Sequence, residues 1–316
     1  MKHTGLHHVS VLGANAKEAY HFYHDILGLQ MIMNTVNQDD NSMIHLFFGD
    51  ESGRSGTEFT VFEMKGAPRN QFGTNAIERT MFLVHDRAAL DFWVQRFDQF
   101  GVEHYGIETF DGRDVLRFED SDGQRLGLVY RDEPLVGMEP YNHPDIDSAY
   151  LIQGIGDVHL RVRYPEATSD VLTKHFGFEK INEYTMGRNR VERYQYKGNA
   201  FKHEVHLIED KTSPIQRLGV GGAHHLAFGV ETRQDLESLV NYLGEHSIIN
   251  SNVKDREFFK SLYFREPNYN LFEVATPVVH SFGDLPEQHL TYDEQPLFLP
   301  EFLESRREEI ERLIKE

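Results

Sequence analysis

The chain has 316 residues, more than one hydrophobic core usually organises, and its 39% hydrophobic and 12% aromatic content belongs to folded globular protein rather than a disordered one. A formal charge of -19 at pH 7 argues against partners such as nucleic acid or anionic lipid, which need clustered Lys and Arg. No stretch is long and apolar enough to span a bilayer, no apolar signal core follows Met1, and there is no cysteine, so a cytoplasmic location is expected.

In chain order, residues 6–12 read as a strand, and Asn15 with Glu18 opens a helix whose apolar face is Ala19, Phe22, Tyr23, Ile26 and Leu27 and whose stop is Gly28. The same sentence recurs three times. Residues 79–84 lead to a helix capped by Asp86 and ended by Gly101; residues 159–162 lead to a helix ended by Gly177; residues 225–230 lead to one capped by Thr232 and ended by Gly244. From the strand markers His8, Arg79, His159 and His225 to these glycines the spacings are 20, 22, 18 and 19 residues, too regular for chance. Strand-like runs follow each helix, at 43–48 and 57–62 in the first copy and at 115–118 and 125–130 in the second. Each copy is therefore a βαβββ module.

One module cannot cover its own sheet, so modules pair, and the expected fold is α+β with four modules in two domains. The expected division is 1–132 for modules one and two, a linker at 133–149 marked by Pro134, Pro140 and Pro144, and 150–280 for modules three and four. Residues 281–316 are expected to form a linker and a charged helix that docks through Phe302, Ile310, Leu313 and Ile314.

Residues 261–276 hold a carboxylate inside an otherwise apolar strand. Residues 270–276 alternate, with Phe272 and Val274 on one face and Leu271, Glu273 and Ala275 on the other, while 267–270 is turn chemistry that joins this strand to the one carrying Tyr263.

These modules resemble the vicinal oxygen chelate superfamily, which includes glyoxalase I and the extradiol ring-cleaving dioxygenases, over about residues 5–280. The segment 6–9, Gly56 with Thr57, and the tail at 297–300 with Ile310 and Glu311 further resemble the ring-cleaving dioxygenases associated with hydroquinone and catechol resistance. The resemblance implies a carboxylate ligand at Glu273 with Tyr263 ten residues before it, acting on the oxygen under activation. It also implies a proton-transfer histidine on the last strand of the third module, where His203 and His206 are the candidates; if module one replaces module three at the metal, these two are expected to line the other, metal-free cleft. Fe(II) as cofactor, and a small aromatic diphenol with O2 as substrates, follow from the same likeness; the state of self-association, including a homo-oligomer, is left open.

Strand alternation selects within the histidine doublets. His224, Leu226, Phe228 and Val230 are expected to pack under a helix and to leave His225 in the cleft; likewise His7, Val9 and Val11 pack, leaving His8, Ser10 and Leu12 in the cleft. The expected metal ligands are His8, His225 and Glu273, so that modules one and four share the site. The alternative set replaces His8 with His159, whose neighbours Arg161 and Arg163 would oppose a cation. Two histidines and one carboxylate suit non-haem Fe(II) oxygen chemistry. A glyoxalase-type Zn or Ni isomerase or lyase would need a further carboxylate, for which Glu58 is the candidate although a strand-start Glu is usually solvated. A metal-free protein that sequesters a quinone or drug is the third reading. Asp255 and Arg256 are expected to close the cleft or to form a buried pair.

Overall fold

The computed structural model describes residues 1–133, 135–277 and 290–315. The first module is β1 (His3–Gly13), α1 (Ala16–Tyr20) continued by a π-helical turn (His21–Ile26), β2 (Gln30–Val36), β3 (Ile44–Gly49) and β4 (Glu58–Glu63). The second is β5 (Ala76–Leu83), α2 (Arg87–Phe100), β6 (His104–Phe110), β7 (Arg113–Glu119) and β8 (Arg125–Val129). The third is β9 (Gly154–Val162), α3 (Pro165–His175), β10 (Glu179–Met186), β11 (Asn189–Gln195) and β12 (Glu204–Glu209). The fourth is β13 (Gly222–Val230), α4 (Arg233–Glu245), β14 (Lys254–Asp255), β15 (Lys260–Arg265) and β16 (Leu271–Ala275). All four are βαβββ, as the repeat spacing indicates.

Local chemistry explains the helix limits. The side chains of Asn15, Asp86 and Thr232 each accept a hydrogen bond from a first-turn amide, and Pro165 occupies the first turn of α3. Gly28 and Gly101 leave their helices at φ +70° and +68°, a conformation costly to any residue with a Cβ. Gly244, expected to end α4, lies inside it, and the chain exits at His246.

The strands form two curled sheets of eight. One has the order β14-β15-β16-β13-β1-β4-β3-β2 and the other β10-β11-β12-β9-β5-β8-β7-β6. Module one thus pairs with module four through antiparallel β1 and β13, and module two with module three through β5 and β9. The sheets therefore cut across the expected 1–132 and 150–280 division. The chain passes between sheets at 64–75 and 210–221, and these crossovers run side by side through bridges Arg69 to Val220, Gln71 to Arg217 and Thr74 to Ile215. No helix or strand occurs among the described residues of 133–149.

The largest apolar cluster draws on the first strands of all four modules and on α1, α2, α3 and α4, including Val9, Phe82, Leu160, Phe228, Trp93 and Leu236. The opposite, concave face of each sheet is left to line a cleft. Part of the expected tail linker lies outside the described residues. Beyond it, Leu297 bridges to Asn34 at the β2 edge, and Leu299, Leu303 and Ile310 pack with Val36 in α5 (Glu301–Glu304), α6 (Arg307–Leu313) and their approach. Phe302, expected to dock, is 57% exposed; Leu303 on the other side of the short helix takes that place.

Candidate metal centre in the first cleft

Ladder register brings His8, His225 and Glu273 together. His225 lies opposite Ser10, Ala227 lies opposite both His8 and Glu273, and the parallel β13–β16 pairing points the carboxylate toward the two imidazoles. His8 Nε2 is 3.2 Å from His225 Nε2 and 3.1 Å from Glu273 Oε2; His225 Nε2 is 2.9 Å from the same oxygen. All three side chains are buried, and apart from these two imidazoles neither carboxylate oxygen of Glu273 has a hydrogen-bond partner. Three ligand atoms converging on one point, with a buried carboxylate otherwise orphaned, fit a divalent cation. Burial alone would push the Glu273 carboxyl up, but His8 and His225 hold it well below the usual carboxylate range.

The histidine doublets depart from simple alternation. On β1 an extra residue, His7, is inserted between Leu6 and His8 relative to β13, and on β13 His224 is inserted in the same way relative to Ser10 and Val11 of β1. Each is a β-bulge, which turns two consecutive residues to one face. His7 and His224 therefore do not pack under helices as alternation implies; both stand behind the ligand candidates in the cleft. His7 Nδ1 is 2.9 Å from His8 Nδ1, and His224 Nδ1 is 2.8 Å from His225 Nδ1. If the Nε2 lone pairs serve a cation, each Nδ1 carries the proton and donates it to the outer ring, which fixes tautomer and orientation. His224 can accept because burial, then the His225 charge, push its pKa down to about 3. On the other side Glu58 competes: its Oε2 is 3.1 Å from His7 Nδ1, and although burial works against a charge there, Glu58 raises the His7 pKa.

Glu58 is buried on a central strand rather than solvated, which corrects the reading of it as an edge residue. It nevertheless sits one ladder step away from the place a fourth ligand would take. That place is held by Thr60, which lies opposite Ser10, two residues past His8, as Glu273 lies opposite Ala227, two residues past His225. The Thr60 hydroxyl is 2.6 Å from Ser10 Oγ and 2.9 Å from His45 Nε2.

Tyr263 lies opposite Glu273 on β15, with its ring edge-on to His225 at 5.7 Å. Burial, then the Glu273 charge, push its phenol well above its ordinary pKa, so it is a proton donor. The Arg256 guanidinium lies 5.8 Å over that ring and bonds Asp39 at 2.8 Å, so Arg256 pairs across to the β2–β3 connection whereas Asp255 pairs with Lys260. A space of about 50 Å³ remains beside the triad, bounded by His45, Phe47, Phe62, Arg256, Phe259 and Tyr263 among others. His45 was not singled out by sequence, because a lone histidine on a strand carries no motif.

His159, His203 and His206 are elsewhere. On β5 and β9 the bulged residues are Glu78 and Gly156, so the positions matching His8 and His225 are Arg79 and Asp157. His159 is two residues past the matching position, and measured from Asp157 the spacing to Gly177 becomes 20 residues. His206, opposite His159, matches Glu273. Asp157, His159 and His206 do form a buried cluster in the second cleft, but both nitrogens of His206 are engaged, by Tyr184 Oη at 3.1 Å and Glu204 at 2.8 Å. Arg131 and Arg113 pair with Asp157. The cations facing His159 are Arg79, Arg113 and Arg117, whereas Arg161 is taken up by Glu78 and Asp210. His203 faces neither cleft: it is fully buried where its Nδ1 accepts the Leu6 amide at 3.1 Å and its ring stacks on Phe201. Neither His203 nor His206 reaches the His8, His225 and Glu273 group, so proton transfer there is not theirs; His206 instead lines the second cleft, as expected when module one takes the place of module three at the metal, and His203 does not.

The fold and this cleft define the class. Residues 5–128 and 154–274 match the family model described as the Glyoxalase/Bleomycin resistance protein/Dioxygenase superfamily, and the chain belongs to that superfamily. It is 38% identical over 316 residues to a Bacillus subtilis (strain 168) protein named "Putative ring-cleaving dioxygenase MhqA", covering 100% of this chain and 99% of the relative. It is 25% identical over 293 residues, 90% of this chain and 88% of the other, to the chlorohydroquinone/hydroquinone 1,2-dioxygenase of Sphingobium indicum. A crystal structure of a "putative dioxygenase from Bacillus subtilis subsp. subtilis str. 168" superposes with a TM-score of 0.84 at 28% identity over 99% of this chain and 96% of that one. Glyoxalase I from Zea mays, at 13% identity and a TM-score of 0.65 over 86% of this chain and 92% of that one, shares the fold. Within the superfamily the chain is an enzyme of the dioxygenase type.

Proposed function

We propose that the chain is an Fe(II)-dependent dioxygenase that opens the ring of a hydroquinone- or catechol-type diphenol with O2, with His8, His225 and Glu273 as the metal ligands. The observation that carries this reading is the buried triad with Thr60, not a carboxylate, at the fourth place. Two histidines and one carboxylate on one side of an ion leave positions for substrate and oxygen. A bound Fe(II) supplies the electron transfer to O2 that no side chain here can perform.

The chain's own residues bind, orient and control protons. Tyr263, kept protonated by burial, presents its hydroxyl beside the triad as a hydrogen-bond donor to developing negative charge on oxygen. Arg256 keeps its charge, because Asp39 outweighs the effect of burial, and can hold a phenolate. Phe47, Phe258 and Phe259, in one apolar cluster, form a wall that excludes water. The substrate class is supported by the activity for which the Sphingobium relative is named.

A glyoxalase-type reading would need a fourth ligand, and the nearest carboxylate, Glu58, is engaged with His7. The test is anaerobic metal analysis followed by oxygen uptake with a panel of catechols and hydroquinones. Metal-dependent, substrate-dependent uptake is expected; a metal-loaded protein that consumes no O2 with any diphenol contradicts the proposal.

A further inference from the structure

The concave face of the first sheet continues past the triad. On β1, Leu12 follows Ser10 on the same face, and on β4, Phe62 follows Thr60, placing each about 7 Å beyond its predecessor. Here a groove of about 330 Å³ opens, lined by Leu12, Phe62, Met64, Ala67, Leu218 and His224 among others. Phe62 borders both this groove and the space beside the triad, and so does Asn37. The Phe62 ring meets His224 edge-on at 5.8 Å, lies tilted to His225 at 6.3 Å and stacks on His45 at 3.8 Å. Among the described residues no Asp, Glu, Lys or Arg lines the groove.

We propose that this groove is a subsite for an uncharged apolar substituent carried by the diphenol ring, so that alkyl- or aryl-substituted diphenols are preferred over unsubstituted ones. The inference rests on the diphenol reading of the metal centre and adds to it the class of substituent. From a ring held beside the triad and Arg256, a side chain that extends along the trough passes Phe62, which borders both spaces, toward Met64 and Leu218. A chain lying there covers apolar surface that is otherwise wet, which is favourable. A carboxylate in the same place would lose its hydration and find no cation, so ring-substituted acids are rejected. His224, which supports His225, forms the groove's polar end and couples occupancy of the groove to the ligand imidazole.

The experiment is anaerobic titration calorimetry of the Fe(II)-loaded protein with hydroquinone, methyl-, propyl- and pentylhydroquinone, and 2,5-dihydroxyphenylacetate. Without O2 the rings stay intact and binding is read directly. Affinity is expected to rise by about fourfold per methylene until the groove is filled, and the acid to bind more weakly than hydroquinone. Leu218→Trp, at a position 42% exposed and so tolerant of size, should cut the pentyl-to-hydroquinone affinity ratio by at least about tenfold; Ala67→Leu, at a second lining position, should do the same. An affinity that does not change with chain length while hydroquinone itself binds overturns the groove alone. Equal loss for all ligands in both variants does so as well. Failure of every diphenol to bind overturns the groove together with the reading it rests on.

Discussion

Thr60 and Glu273 occupy the same place in their two modules, each on the last strand opposite the residue two past a cleft histidine. The pseudo-symmetric pair that would give an ion two carboxylates therefore gives it one carboxylate and one hydroxyl. Restoring the symmetry with Thr60→Glu should retain the metal but close a position needed by O2 or substrate, so that oxygen uptake collapses while bound metal does not fall. Metal content by emission spectroscopy and uptake at an oxygen electrode check this; undiminished uptake would remove Thr60 from the account.

His8→Ala, His225→Ala and Glu273→Ala should each lose bound metal with the fold intact by circular dichroism, since each removes a ligand lining a cleft and leaves the shared core untouched. His159→Ala should retain metal, because His159 belongs to the other sheet. Metal loss on His159→Ala with retention on His8→Ala would reverse the pairing of modules at the centre.

Tyr263→Phe should keep the metal and slow turnover by about one hundredfold, the scale of a positioned proton or hydrogen-bond donor. Measured as kcat at saturating diphenol, an unchanged rate would leave Tyr263 as packing against His225.

The third-module histidine His203 should matter to stability rather than to chemistry. Burial, then the Arg131 charge, lower its folded-state pKa to about 3, below the ordinary 6.5. A lowered histidine pKa means the unfolded chain binds the extra proton, so its contribution is whole above pH 6.5 and is lost as pH falls from 6.5 toward 3, by up to about 1.4 kcal/mol per pH unit. His203→Gln should flatten the pH dependence of urea unfolding between pH 6.5 and 4 by about one proton and keep oxygen uptake. An unaltered slope would contradict the burial of a neutral ring.

The module repeat, the helix caps and the pair His225 and Glu273 were legible because periodicity and turn chemistry are local. Alternation also placed Ser10 and Leu12 on the cleft face, where the ladders put them. It failed at His7 and His224, because a β-bulge is a relation between two strands and leaves no mark in one strand's periodicity. The same cause displaced the third-module marker from Asp157 to His159: Gly156 is bulged, and counting from the more conspicuous histidine shifted the frame by two. The roles of His203 and His206 came from likeness to enzymes that pair their third and fourth modules, whereas here the third pairs with the second. Phe302 lost to Leu303 because a helix of four residues presents too little of a period to read.

The most direct test of the central claim compares one preparation loaded with Fe(II) or Zn(II), with and without air, on hydroquinone and catechol substrates. The Fe(II) form should consume one O2 per ring opened, fall silent once oxidised to Fe(III), and do nothing in the absence of air, while Zn(II) occupies the same ligands without activity. Turnover of substrate by the Zn(II) form without oxygen would contradict the dioxygenase account and point to Lewis-acid chemistry at the same triad.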